Sequence, residues 1–491
     1  MKFTPSFIAL TLILIGCKQA TESSVSNEAK GIDRYLQEAV DRQQIPGLTV
    51  SATRNDSVVY TGAFGFRNLD TKEPMKPGYD FHWASVSKTF VATAIMQLVE
   101  NGKIRLDEKL ITYVPYFKQK GENYKNITIR HMLNHTSGIG DVDDYEWDKP
   151  QNDDGAPERF VKSLEYDEML FQPGTDWSYS NTAYEILGVV ITRVSGMPFE
   201  TYVTKNILVP LEMKHSSFIY PDIPDSLRVS GHVWAAKPMV SKVYPYNRIH
   251  APSSTLNSNV LEMTHYAMAH LHRGQYKNRR VLSDSTYDLL WTNSVNLEEK
   301  PAVGVSWFLD EHDGLKTVSH SGGDTGFGSF LLLVPEKNIS VMIASNYDLC
   351  PTDDFAYAVL DLLLGEKPDE IKRPIGFSFA EVLVKDGNEK ARAFYKEAKD
   401  DSTQSKYFVF EEGSLGYPGR VLLEQGMLNE ALEVFKFNLE LHPTSGYAHR
   451  NLGVAYAKLG NKELARVNLK KALQILPDQE FIKKELKKLD D

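Results

Sequence analysis

The sequence predicts an α+β fold: an antiparallel sheet flanked by helices, with a mostly helical insertion, followed by an all-α helical-repeat domain. Three observations predict it. Strand-like runs gather at the two ends of residues 31–365, near 48–65 and 317–346, and long helical and loop segments separate them. Short turn signals join neighbouring runs at both ends. Beyond residue 385, glycine, alanine and proline recur at a fixed spacing.

In chain order, residues 1–17 read MKFTPSFIALTLILIGC, with Lys2 ahead of the apolar run Phe7–Ile15. A membrane span takes about 20 apolar residues, so this shorter run is expected to be a signal peptide. Leu14-Ile15-Gly16-Cys17 resembles a bacterial lipobox, in which the cysteine is lipidated. The expected location is therefore outside the cytoplasm, anchored to a membrane through Cys17, on the periplasmic side or at the cell surface. Residues 18–30 are polar with little to bury and read as a flexible tether.

An amphipathic helix is expected from Ile32 to about Gln44, ending before Pro46-Gly47. Strands follow at Leu48–Thr53 and Ser57–Gly65, with Asn55-Asp56 as the hairpin turn. Strand character returns at Thr317–His320, Ser329–Pro335 and Ile339–Asn346, the last two joined through Glu336-Lys337-Asn338. Residues 366–385, with Pro368 and Pro374, read as a linker. In residues 386–491, Gly426, Ala431 and Pro443 recur as Gly460, Ala465 and Pro477, each 34 residues on. That helix–turn–helix period resembles tetratricopeptide repeats. Asn388-Glu389-Lys390-Ala391 reads as a degenerate earlier copy.

Composition narrows the function. A net charge of −10 over 491 residues, with no basic stripe, argues against a nucleic-acid partner. Of the two cysteines, Cys17 and Cys350, the expected processing leaves no internal pair. No Cys/His cluster has zinc spacing, so neither metal nor cofactor is expected. His131 and His135 lack the intervening glutamate of a helical zinc site, since Met132 occupies its place. Asp141, Asp143 and Asp144 lack the spacing of a calcium loop. Tyr145, Trp147, Trp177, Tyr244 and Tyr246 are candidates for a cleft lining or for ordinary packing.

The chemistry concentrates on Ser85-Val86-Ser87-Lys88, the one Ser-x-x-Lys in the chain, heading the apolar run Phe90–Val99. Three residues along a helix return Lys88 over Ser85, about 5–6 Å between Cβ atoms. A serine hydroxyl needs a neighbour to take its proton, and partial burial favours the neutral lysine that could do so.

Ser-x-x-Lys, then Tyr179-Ser180-Asn181, then His320-Ser321-Gly322-Gly323 resembles the class C β-lactamase and penicillin-recognising serine hydrolase family. Ile45-Pro46-Gly47, Gly62–Gly65, residues 127–139 (ITIRHMLNHTSGI) and Val303–Trp307 extend the resemblance over about residues 31–365. It implies that Ser85 becomes acylated, that Lys88 and Tyr179 share the proton work, with the Tyr179 phenol depressed by Lys88, and that Asn181 orients Lys88 and the substrate. It also implies an oxyanion hole from the Ser85 and Gly323 N–H groups, and substrate contacts from His320, Gly322 and Gly323. Where β-lactamases of this family carry Lys-Thr-Gly, this chain has His320-Ser321-Gly322. A histidine that is mostly neutral at pH 7 holds a substrate carboxylate weakly. The expected activity is therefore that of a D-amino-acid peptidase or esterase, on a small peptide, an ester or a cell-wall-type substrate, rather than efficient β-lactam hydrolysis. A catalytically weak scaffold that binds a protein partner through residues 386–491 is the alternative.

Overall fold

The computed structural model describes residues 12–142, 144–295 and 297–489, and the backbone alone for 12–27. Most of the expected signal segment, the side chain of Cys17 and Asp143 therefore lie outside the described residues. Among the described residues, no helix is long and apolar enough to cross a membrane.

The chain forms two compact units. One comprises residues up to Val233 with Val240–Pro368; the other comprises Trp234–Met239 with the residues from Asp369 onward. The first unit is organised by a seven-stranded antiparallel sheet. Its strands are β1 (Gly47–Arg54), β2 (Ser57–Asn68), β3 (Glu73–Pro74), β4 (Phe308–His312), β5 (Leu315–Asp324), β6 (Phe327–Val334) and β7 (Ile339–Ser345). Their spatial order is β4-β5-β6-β7-β1-β2-β3. The N-terminal hairpin and the C-terminal meander meet at β1 and β7, in the register Leu48↔Ser345 to Arg54↔Ile339. The hairpin turns expected from Asn55 and Asn338 are present, and both residues take positive φ (56° and 50°), a conformation asparagine tolerates. Every residue of β6 and β7 is buried, which explains their near-continuous apolar sequences. The short edge strands β3 and β4 carry too few alternating positions to stand out in the sequence.

Helix α1 (Leu12–Gln43) packs on β2 and against α5 (Thr352–Leu364), which covers β6 and β7. Helix α4 (Val260–Leu271) packs on β1, β6 and β7. Helix α2 (Ser87–Glu100) lies within the largest cluster of apolar side chains, buried at every position from Ser87 to Leu98. Beside it runs α3 (Asn181–Ser195).

The second unit contains three antiparallel helix pairs and a closing helix: α6 (Ile375–Asp386) with α7 (Asn388–Asp400), α8 (Gly413–Glu424) with α9 (Leu428–Leu441), α10 (Gly446–Lys458) with α11 (Lys462–Ile475), then α12 (Glu480–Lys488). The 34-residue period is the step from the second pair to the third; the first pair stands 38 to 40 residues before the second.

Three expectations change. Residues 18–30, read as a tether, belong to α1, because nothing between them and Gly31 breaks a helix and Ala, Glu, Gln and Lys favour one. Glu28 on this extension pairs with Arg54 at 3.0 Å. Residues 366–385 are not a linker throughout. From Ile375 they form α6, the first helix of the repeat unit, with Ile375, Phe379, Ala380 and Leu383 buried. Pro374 and Gly376 conceal that helix in the sequence. Gly376 is there for packing, since a Cβ would lie 2.0 Å from the Ser414 carbonyl oxygen. Finally, His320 does not end its strand: β5 continues through Gly322 and Gly323 to Asp324, paired with β6 throughout.

Phe90 is fully buried in α2 and stacks on Tyr266 with ring centroids 3.8 Å apart. Phe90→Ala should therefore cost about 3–5 kcal/mol of stability, read as a lower urea midpoint with an unchanged slope.

Candidate active site

Ser85 sits in a single 3-10 turn, Ala84–Val86, immediately ahead of α2. The turn is held from several sides. Trp83 N–H donates to the Leu256 carbonyl at 2.7 Å, and the Trp83 indole N–H to the Ser258 carbonyl at 2.9 Å. Ser329 Oγ on β6 donates to the Trp83 carbonyl at 2.7 Å. Ala84, directly before Ser85, is held at φ 45°, a region that strains any residue with a Cβ. The nucleophile candidate thus projects from a bent, over-determined turn at the head of a buried helix.

Lys88 lies one helical turn on and is fully buried. Its Nζ is 2.9 Å from Ser85 Oγ and donates to the Ser253 carbonyl at 2.7 Å. Burial draws the amine down to about 7, against the opposing pull of the Glu185, Asp324 and Asp141 carboxylates. The rings of Tyr179 and Tyr184 flank Nζ, with centroids at 5.0 and 5.6 Å.

Tyr179 is brought beside Ser85, but its phenol is not depressed by Lys88 as expected. Burial raises it well above the ordinary tyrosine value, and the adjacent Ser85 side chain only partly offsets the rise. The group is therefore a protonated phenol at neutral pH. Its position is set by His135, whose ring stacks on Tyr179 at 4.2 Å while Nδ1 accepts the Ser180 N–H at 3.1 Å. That acceptor role leaves the His135 proton on Nε2. Burial, with Lys88 and His320 nearby, holds this imidazole well below its ordinary value. His131 serves a different loop: its Nδ1 accepts the Thr128 N–H in a capping box.

Asn181 departs from expectation. Its amide donates to Asp141 Oδ2 at 2.7 Å and to the Tyr145 hydroxyl at 2.5 Å, while the second contact of Lys88 comes from Ser253. The reason is that Asp141 also takes the Thr182 hydroxyl at 3.3 Å and its backbone N–H at 3.4 Å, at the positive end of α3, drawing Asn181 into the same cluster. Tyr145 and Trp147 stack at 5.2 Å beside this cluster, and Trp177 packs edge-on to His135.

His320 is 1% exposed, and its Nδ1–H donates to the Ser321 carbonyl at 2.7 Å. Burial, aided by the Lys88 charge, draws it down to about 3, so the ring is neutral. The two glycines differ in the space around them. A Cβ on Gly322 would meet the Trp83 carbonyl oxygen at 2.3 Å and Ser329 Oγ at 2.4 Å, whereas one on Gly323 would meet nothing within 4 Å. The demand for a small residue comes from Gly322, against which the turn carrying Ser85 closes; Gly323 borders open space. Asp324 completes this edge, accepting from His82 Nε2 at 2.8 Å and from the Ser254 hydroxyl.

Glu185, His250 and Ser253 were not visible from the sequence. They come from separate segments and carry no motif that spacing alone reveals.

A family model described as beta-lactamase matches residues 32–365, and one described as tetratricopeptide repeat matches residues 446–479. Protein flp of Staphylococcus aureus (strain N315) is 27% identical over 318 residues, covering 64% of this chain; the chain spans 62% of that relative's length. Penicillin-binding protein 4* of Bacillus subtilis (strain 168) is 25% identical over 377 residues, 71% of this chain and 79% of that protein. The octameric penicillin-binding protein homologue from Pyrococcus abyssi superposes with a TM-score of 0.62 at 27% identity, covering 69% of this chain and 78% of that one. A class C beta-lactamase shares the fold at a TM-score of 0.59 and 19% identity, over 70% of this chain and 97% of that one.

The glycine contrast is testable. Gly322→Ala should displace the Ser85 turn and slow labelling by a fluorophosphonate more than about tenfold, whereas Gly323→Ala should stay within about threefold of the parent. Equal effects would contradict the assignment.

Proposed function

Because this chain belongs to the beta-lactamase family, we propose that it is a serine hydrolase working through an acyl-Ser85 intermediate on a peptide amide or an ester. The observation that carries this reading is the fully buried Lys88 amine, 2.9 Å from Ser85 Oγ and drawn down to about 7.

At neutral pH a large share of Lys88 is the free amine, whose lone pair takes the Ser85 proton as Oγ attacks the substrate carbonyl. Between the two proton candidates, Lys88 is the better base, since burial lowers its amine while it raises the Tyr179 phenol. The Tyr179 phenol is then suited to hand that proton to the leaving group and to recover one from the Lys88 ammonium. The Ser85 and Gly323 N–H groups form the oxyanion hole in this reading, aided by the positive end of α2. Water completes the cycle by the reverse sequence on the acyl-serine. The neutral, enclosed His320 gives a substrate carboxylate no fixed cation, and the nearby Asp324 carboxylate repels one, so esters and peptides without a carboxylate at that point fit better than β-lactams. A D-stereospecific amidohydrolase from Streptomyces sp. and EstCE1, a hydrolase with promiscuous acyltransferase activity, share this fold.

The repeat unit supplies a surface for a protein partner. The N-terminal segment supports export and lipid anchoring at Cys17.

Fluorophosphonate should label the protein and fail to label Ser85→Ala. With p-nitrophenyl acetate, kcat/KM should rise with pH through an inflection near 7, because protonation below it removes the base. Turnover of a D-alanyl-D-alanine peptide and of nitrocefin then names the subclass; a folded parent that neither labels nor turns over any of the three sinks the proposal. For the anchor, Cys17→Ser should lose incorporation of an alkyne-tagged palmitate and leave the membrane fraction. Persistence of both would rule out lipidation there.

A further inference from the structure

Behind Ser85 and Lys88 lies a second set of polar groups that the hydrolase reading does not use. Glu185 projects from α3, one turn beyond Asn181, and is 1% exposed. Its Oε1 accepts from His250 Nδ1 at 2.6 Å and from the Ser253 hydroxyl at 2.9 Å, while Oε2 has no partner. The His250 ring is itself buried and enclosed edge-on by Tyr145, Trp147 and Phe160. Ser253 is the residue whose carbonyl receives the Lys88 amine at 2.7 Å. The chain of contact therefore runs Glu185–Ser253–Lys88–Ser85 without a gap.

A buried carboxylate is an expensive way to fill space. Glutamine at this position could accept the same two hydrogen bonds through its amide oxygen, without the desolvation penalty of a charge. What the carboxylate adds is negative potential, and the amine of Lys88 is placed to feel it. Resting on the hydrolase reading, we infer that Glu185, through His250 and Ser253, is a positioning unit that fixes Lys88 against Ser85 and governs how tightly its amine holds a proton. The groups that face Lys88 are Glu185 on α3, Asp324 and His320 on β5, Asp141 and His135 on the loops before α3, and the Tyr179 and Tyr184 rings. Among the carboxylates, Glu185 exerts the strongest pull.

The sign follows directly. A negative neighbour stabilises the ammonium, so neutralising it lets Lys88 become free amine at lower pH. The test is the pH profile of kcat/KM for p-nitrophenyl acetate in the full chain, with fluorophosphonate labelling in parallel. In Glu185→Gln the acid limb should move down by about half to one pH unit, while Glu185→Asp, which keeps the charge, should leave the limb near the parent's even as the rate falls. Should Glu185→Gln not fold, the uncharged Glu185→Met reads the same displacement. A folded, labelled Glu185→Gln whose limb stays within about 0.2 unit of the parent overturns the inference, since a purely structural glutamate would lower the rate at every pH alike. An unlabelled parent overturns the hydrolase reading, and this inference with it.

Discussion

The first unit is arranged around one unfavourable placement: a lysine amine removed entirely from water. An ammonium buried without compensation would lose its proton or unfold the surroundings. Here the compensation is partial. One carbonyl, one hydroxyl and two aromatic faces meet Nζ, and the carboxylates stand further back. The balance leaves the two protonation states of Lys88 close in free energy near neutral pH. The surrounding architecture maintains that balance: α2 is buried on all sides, α3 brings Tyr184 and Glu185, and the segment at 250–254 brings the carbonyl.

The same burial acts with opposite sign on the neighbouring phenol. Removing Tyr179 from water disfavours its phenolate, just as removing Lys88 disfavours its ammonium. The same burial thus favours the free amine of Lys88 and the protonated phenol of Tyr179 side by side. His135 and His320, both kept neutral by burial, extend this pattern to the neighbouring imidazoles.

How much of this was legible in the sequence depends on the range of the contact. Ser85 and Lys88 share one helical turn, so their meeting follows from spacing alone. The sheet was legible where strands were long, as at β1, β2, β6 and β7, and lost at β3 and β4, where two to five residues carry no period. The hydrogen bonds of Asn181 and the tight packing of Gly322 escaped the sequence for a common reason. Each depends on which neighbour arrives from a distant loop, Asp141 in one case and the Trp83 turn in the other, and no local pattern records that. Glu185 carries no motif of its own, and its partners stand 65 and 68 residues away. The opening helix of the repeat unit was hidden by Pro374 and Gly376, residues that punctuate helices in general and here fit one.

The pairing of β1 with β7 joins segments almost 300 residues apart, and Ser329 and Gly322 from the late strands close upon a turn encoded early. During synthesis, the stretch that carries Ser85 therefore emerges long before the strands that shape it. Until residue 345 has left the ribosome, the chain holds a serine and a lysine without the late-strand groups that close on their turn. The surroundings of Ser85 and Lys88 are therefore complete only in a chain that includes the late strands.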